Sequence, residues 1–423
     1  MRTRRMALAL AALLLASGSL GELPAQQPSR EEILAEVRAL RERLERLEKL
    51  LGAGAPPAPQ AITVSPDAPE KSAEPLKSQT PETPPVFSAG PIDFSGLVDS
   101  YYSLNFNHPS RRVNQARLFD TNANQFSLNM AKVSLYHLPD PVGFRLDLGL
   151  GPAFDAVHAG EPGGLGPLRY IQQAYFTYHA SIGNGLVLDA GKFVSIHGAE
   201  AIETLNNWNY SRSLLFQYAT PYYHFGLRAS YPLSRTLTGS VLFVNGWNNV
   251  VDNNTGKTWG FQGAWSPNAH FSLTSNYMFG PEKIGSNRGY RHLSDTTATI
   301  KVNRQAAFMV NYDYGVDLMG RGGRRRWTGV AGYARLSPRR WFAFVPRLEW
   351  FNDADGFTTG VAQKLKETTL TAEFKMKEGL LTRLEYRRDW SDRRFFDRGN
   401  SPAASRTQDT LLAGFVVAFG PKR

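Results

Sequence analysis

From residue 92 to residue 419 the chain alternates apolar and polar positions with a period of two. In GFRLDLGL, Phe144, Leu146 and Leu148 share one face, and Arg145, Asp147 and Gly149 share the other. Phe308, Val310, Tyr312 and Tyr314 stand opposite Asn311 and Asp313. Phe342, Phe344, Leu348 and Trp350 stand opposite Arg347 and Glu349. Leu370, Ala372, Phe374 and Met376 oppose Glu373 and Lys375, and Leu384 and Tyr386 oppose Arg383, Glu385 and Arg387. Period two is the signature of strands, whose successive side chains point to opposite faces.

The pattern predicts sixteen strands: 92–106, 122–138, 143–154, 168–180, 185–194, 222–232, 236–248, 257–267, 269–280, 291–302, 305–317, 326–337, 341–353, 363–377, 380–391 and 407–419. Their connections alternate. Short ones such as PDPV, SPN, SPR and EG separate long ones at 107–121, 155–167, 195–221, 249–256, 281–290, 318–325, 354–362 and 392–406. A soluble antiparallel sheet also alternates. Here, however, the polar face carries ions of both signs on many strands, and these need water on that side. A transmembrane antiparallel up-and-down β-barrel meets that need, with lipid outside, a polar interior, short periplasmic turns and long external loops. An even strand number puts both barrel ends in the periplasm.

The first 91 residues read differently. Arg2, Arg4 and Arg5, the apolar run Met6–Ala16, too short to span a bilayer, and small residues up to Ala25 form a secretory signal peptide, 1–25, with Gly21 as the alternative cleavage position. Within 29–51, Ile33, Val37, Leu40, Leu44, Leu47 and Leu51 keep a/d spacing, which predicts a short coiled-coil helix. Ser29 with Glu32 forms a capping box at its start. Ten prolines in 52–91 make that segment an extended linker. Self-association through the helix predicts a homo-oligomer, and the heptads leave dimer and trimer both open.

Composition sharpens the class. The 423 residues hold no cysteine, which excludes disulfides, thiolate metal sites and thiol catalysis. The net charge of +11 lies wholly in the strand region, because residues 1–90 hold 11 basic and 11 acidic side chains. Export and the spread of these bases over strands exclude a nucleic-acid partner. Outer-membrane lipid and lipopolysaccharide are the expected surroundings. The eight histidines show no metal-ligand spacing, and no cofactor is expected. Asp353-Ala-Asp355-Gly begins like a calcium loop and lacks its later ligands. His224 lies near Ser211 and Ser213 in sequence, but nothing in the spacing fixes a catalytic set, and no enzyme is expected.

Five motifs carry a resemblance: GKFVSIHGAE (191–200), NNWNYSRSLLF (206–216), PYYHFGLRASY (221–231), VNGWNNVVDNN (244–254) and YMFGPE (277–282). They are similar to the OmpL-like β-barrel porin family, with Phe225 intervening where that family runs His directly into Gly. The resemblance implies a bacterial outer-membrane porin, and porin habit makes the trimer the favoured oligomer. Its third external loop, 195–221, is then expected to fold into the lumen and narrow it through Glu200, Glu203, Trp208, Asn209, Tyr210 and Arg212. The inward Arg145, Asp147, Arg228, Asn311, Asp313, Arg347, Glu349, Glu373, Lys375, Arg383, Glu385 and Arg387 are expected to line a pore for small hydrophilic solutes, with a mild anion preference. The last strand, ending FVVAFGPKR, resembles the segment read by the barrel-insertion machinery, although Phe419 is not terminal. The alternative is a barrel anchor whose helix and linker tether it to cell wall or a partner protein.

Overall fold

The computed structural model describes residues 87–161, 166–319, 323–376 and 379–420. The signal peptide, the coiled-coil helix and the linker as far as residue 86 lie outside the described residues. The last linker residues form a short strand, β1 (Phe87–Ala89), which folds back antiparallel on Ile92–Phe94.

The wall begins with β2 (Ile92–Asn105), β3 (Gln125–His137), β4 (Val142–Leu150), β5 (Ile171–Ala180) and β6 (Leu186–Val194). It continues with β7 (Tyr223–Pro232), β8 (Leu237–Val244), β9 (Thr258–Asn268), β10 (Phe271–Lys283) and β11 (Ser286–Lys301). Then come β12 (Ala306–Leu318), β13 (Arg324–Arg339), β14 (Phe342–Asp353), β15 (Gln363–Lys375) and β16 (Leu380–Ser391). A small hairpin, β17 (Phe396–Arg398) and β18 (Ser401–Ser405), decorates the last long loop before β19 (Thr407–Phe419). Each wall strand pairs antiparallel with the next, and β19 pairs with β2, from Thr410↔Asn105 to Phe419↔Gly96. The sixteen wall strands therefore close into a barrel without an edge. Closure satisfies every ladder group internally, which is the condition for strands to cross hydrocarbon.

The alternation read from the sequence becomes inside and outside. On β14, Ala343, Val345, Arg347, Glu349, Phe351 and Asp353 are buried, whereas Phe344 and Leu348 are exposed on the outer face. The same holds on β12, where Asn311 and Asp313 are buried and Phe308, Val310, Tyr312 and Tyr314 are exposed. Apolar groups that face lipid and charges kept off that face are both favourable. A Lys or Arg on the lipid side of a barrel costs about 2–4 kcal/mol at the bilayer midplane.

Three expected boundaries need correction. The strand expected over 143–154 stops at Leu150, because Gly151 turns the chain at φ 119° and Pro152 opens a helix, α1 (Pro152–Val157). That φ lies in the region open to glycine. The expected long loop 281–290 is instead an extension of the wall, paired from Pro281↔Tyr290 to Lys283↔Ser286. Likewise, 318–325 is largely consumed by the pairing of Leu318 with Arg324. Outside the wall the second helix is α2 (Leu214–Tyr218), and no described helix is long and apolar enough to cross a membrane.

Candidate functional site

The loop between β6 and β7 lies inside the barrel and docks against inward side chains of β2, β3, β5, β10 and β12–β16. Ala199 donates its N–H to Asn311 Oδ1 (3.2 Å), and the Ile196 carbonyl accepts from Asn276 Nδ2 (3.2 Å). Glu203 takes the Lys132 ammonium and Gln172 Nε2 (2.9 Å). Thr204 and Tyr210 donate hydroxyl protons to Asp99 at 2.5 and 2.6 Å. Asn209 Nδ2 donates to Thr371 Oγ1 (2.7 Å) and to the Val345 carbonyl (3.1 Å). Trp208 is half-buried and meets Tyr333 edge-on, with centroids 6.4 Å apart.

An irregular loop leaves its own N–H and C=O groups unpaired, and burial makes that costly. The inward ions of the wall meet this need. Arg383 donates Nη1 to the carbonyls of Thr204 and Asn209, both at 2.8 Å, and Nη2 to that of Asn207. Arg387 donates to the Arg212 carbonyl (2.6 Å), and Arg347 to the Ser211 carbonyl (2.7 Å). The acids take the amides. Glu385 accepts Tyr210 N–H (2.7 Å) and Ser211 N–H (3.0 Å), Glu349 accepts Leu214 N–H (2.8 Å), and Glu200 of the loop accepts Ser213 N–H (2.7 Å). Ser213 Oγ then caps α2 through Phe216 N–H (2.9 Å). Arg212 ties the loop to itself, donating Nε to the Ala201 carbonyl (3.0 Å) with its guanidinium 5.0 Å from the Phe119 ring.

Each of these bases is paired with acids beside it. Arg347 reaches Glu200 and Glu367 at 2.9 Å and Glu349 at 3.1 Å. Arg383 pairs with Glu373 at 2.7 Å, and Arg387 with Asp389 at 2.9 Å. Arg117, from the first long loop, joins them through Asp389 (2.7 Å) and Asp120 (3.0 Å). Arg117 and Asp120 were missed by the sequence reading, which had no pattern to place a loop residue inside the wall.

The free-standing lining expected for several residues is therefore corrected. Arg347, Glu349, Glu373, Arg383, Glu385 and Arg387 face inward but are buried beneath the loop. Asn311 and Asp313 are also buried. Lys375 remains exposed near the short turns. Two expected residues, Arg145 and Arg228, border an open cavity of about 260 Å³ between β4–β9 and residues 194–198. Asp147 sits behind it, shared by Arg145 (3.1 Å) and Lys132 (2.9 Å). The cavity is also bordered by Gln173, Tyr175, Asp189, Ser195, His197 and Gln262, which the sequence reading did not single out. Inward parity on β5, β6 and β9 would have found Gln173, Tyr175, Asp189 and Gln262. Arg228 pairs with Asp189 at 2.7 Å and lies 4.8 Å above the Phe193 ring.

Other sequence candidates are resolved locally. Asp353 accepts the N–H groups of Phe357 (2.8 Å), Thr358 (3.0 Å) and Thr359 (2.7 Å), so it orders the loop that follows rather than starting a calcium site. Among the described residues no metal-holding group of His, Cys, Asp and Glu is gathered. His224 Nε2 lies 3.2 Å from Ser195 Oγ, not on Ser211 or Ser213.

The second long loop also enters the barrel. Phe154 of α1 fills the space over Gly149, where a Cβ would lie 1.8 Å from its ring. Beyond α1, His158 Nδ1 lies 2.7 Å from the Phe154 carbonyl and Nε2 2.6 Å from Lys192 Nζ. Burial, and then the Lys192 ammonium, pull the imidazole down from 6.5 to about 4. The docked ring thus stays neutral while an undocked one gains a proton as pH falls through 6.5. Docking is at full strength above that pH and weakens progressively down to about 4. Amide exchange in residues 152–161 is expected to speed up on acidification to pH 5, beyond its intrinsic change, and His158→Phe should flatten the effect. Equal protection at both pH values would count against it.

A family model described as "Putative beta-barrel porin-2, OmpL-like" matches residues 91–419. Among solved structures, the chain is similar to an anion-selective porin from Comamonas acidovorans, with TM-score 0.55, 9% identity, and coverage of 78% of this chain and 99% of that one. It is also similar to Salmonella typhi OmpF in complex with daunomycin (TM-score 0.52, 10% identity, 78% and 97% covered). The outer membrane channel DcaP of Acinetobacter baumannii gives a TM-score of 0.51 at 12% identity, with 78% and 99% covered. At these identities the likeness is one of fold. No curated protein matches the sequence.

Proposed function

The chain belongs to the OmpL-like beta-barrel porin-2 family, whose members are outer-membrane channels rather than enzymes, and on that premise we propose that it is a passive diffusion channel for small hydrophilic solutes, narrowed by the loop 195–221. The observation that carries the reading is the docking of that loop: its polar groups bond to inward side chains of the wall, so it is a fixed constriction rather than a surface lid. Solute passes the remaining space beside Arg145 and Arg228; Arg228's partner Asp189 also borders the cavity, whereas Arg145's partner Asp147 does not. That excess of positive charge supports a mild anion preference.

Planar-bilayer conductance of the refolded mature protein, with reversal potential in a KCl gradient, tests both statements. Stable steps with an anion-leaning potential are expected. Arg145→Gln with Arg228→Gln should move the potential toward cations. An unchanged potential would remove both from selectivity.

The extent of loop packing favours a second reading, in which the barrel is an anchor and the helix 29–51 and linker 52–91 act as a periplasmic tether. A folded barrel that never conducts would select it.

A further inference from the structure

We propose that the outer face of β15 and β16 is a binding site for a phosphorylated, acidic glycolipid of the outer leaflet, held by Lys364, Lys366 and Arg388. Gln363, Leu365 and Glu367 are buried inside the barrel, so Lys364 and Lys366 point outward, and both are exposed. Lys366 lies in register between Trp350 of β14 and Trp390 of β16. One pleat deeper, Arg388 is paired in register with Thr368, and its guanidinium lies 5.2 Å from the Trp390 ring. Deeper still the same face turns apolar, with exposed Leu370, Leu384 and Leu411.

The bases therefore stand at the edge of the apolar band, on the side of the long loops, with two indole rings beside them. Trp marks the membrane–water interface in this position. No carboxylate among the described residues forms an ion pair with the ammonium of Lys364 or Lys366, although Asp392 accepts the Lys364 backbone N–H at 2.9 Å; Arg388 is only loosely paired with Asp409 at 3.5 Å. Three adjacent bases at an interface, two without an internal counter-ion, fit a ligand that brings its own negative charge with acyl chains below it. Phosphate on a glycolipid does both, and charge-assisted bonds to it are the strong class. Lysine stems can lie along the apolar edge while their ammonium groups reach the head group.

The proposal rests on the outer-membrane reading only for which barrel end faces outward, and it does not require conductance. The test uses the refolded mature chain in detergent, with native mass spectrometry counting retained molecules of diphosphorylated lipid A and of its dephosphorylated form. The wild type is expected to retain the phosphorylated lipid selectively. Lys364→Gln, Lys366→Gln and Arg388→Gln together should weaken retention about a hundredfold, and Lys366→Arg should keep it. Lys301→Gln with Arg304→Gln, at the opposite end of the barrel, should leave it unchanged. Equal retention of dephosphorylated lipid by the wild type overturns the proposal, whatever the variants do. So does undiminished retention by the triple variant, or loss of oligomer with lipid binding intact, which would make this face a subunit contact. A barrel that conducts but shows no phosphate selectivity fails this proposal alone. One that retains the lipid and never conducts fails only the channel reading.

Discussion

Replacing Arg383 by Met should release the internal loop and raise single-channel conductance, while the barrel itself stays folded. The substitution keeps the apolar stem but removes the donors to the carbonyls of Thr204, Asn207 and Asn209. It also takes one partner from Glu373, which retains Arg335. Breaking a buried pair of this kind costs about 3–5 kcal/mol. The loss falls on loop docking, because the ladder between β15 and β16 needs no side chain. Expected readings are larger and noisier current steps, faster amide exchange over 204–212, and heat-modifiable migration as in the wild type. Unchanged conductance and exchange would show that Arg383 does not hold the loop. A shifted reversal potential at unchanged conductance would return Arg383 to the role of a free filter charge.

Gly414→Val is the second large effect, and it acts by steric exclusion rather than by charge. Gly414 of β19 faces inward beneath the Tyr210 ring, and a Cβ there would lie 2.2 Å from Tyr210 Cδ2. Tyr210 is otherwise well seated, with Tyr101 at 5.9 Å between centroids and its hydroxyl on Asp99 at 2.6 Å. Overpacking such a site costs about 1–3 kcal/mol. The ring must leave, and Asp99 then loses one of its buried donors and keeps Asn129 and Thr204. Conductance is again expected to rise. Tyr210→Ala added to Gly414→Val should cost less than the two changes summed, because either one already empties the seat. Strict additivity would mean that the two residues do not meet.

These two residues show how much of the site the sequence carried. Arg383 was legible as an inward position, since its neighbours Thr382 and Leu384 take the other face. Its task was not legible. An inward arginine on a barrel strand reads as a lumen charge unless something covers it, and the covering loop lies more than a hundred residues away in the chain. Gly414 shows the reverse. Its small size on the inner face was visible, but the ring that occupies the space belongs to the loop 195–221, and no local pattern pairs them. Gly149 beneath Phe154 and Gly315 beneath Trp327 also leave room for a ring, but a near one: Phe154 follows five residues on, and Trp327 is the cross-strand partner of Gly315. The missed Arg117 and Asp120 came from a loop with no periodicity at all.

The sequence by itself determined the architecture, because strand alternation is a local property fixed by backbone geometry and by the need to keep charge out of lipid. The segments expected at 380–391 and 407–419 are the observed Leu380–Ser391 and Thr407–Phe419. The expected sixteen strands close into the ring, and the family resemblance holds over residues 91–419. Only the tertiary structure decided which inward charges meet water and which meet backbone. Burial is a property of what lies opposite, and opposite Arg347, Arg383 and Arg387 lies an irregular loop whose carbonyls need donors as much as a hydrated ion needs water.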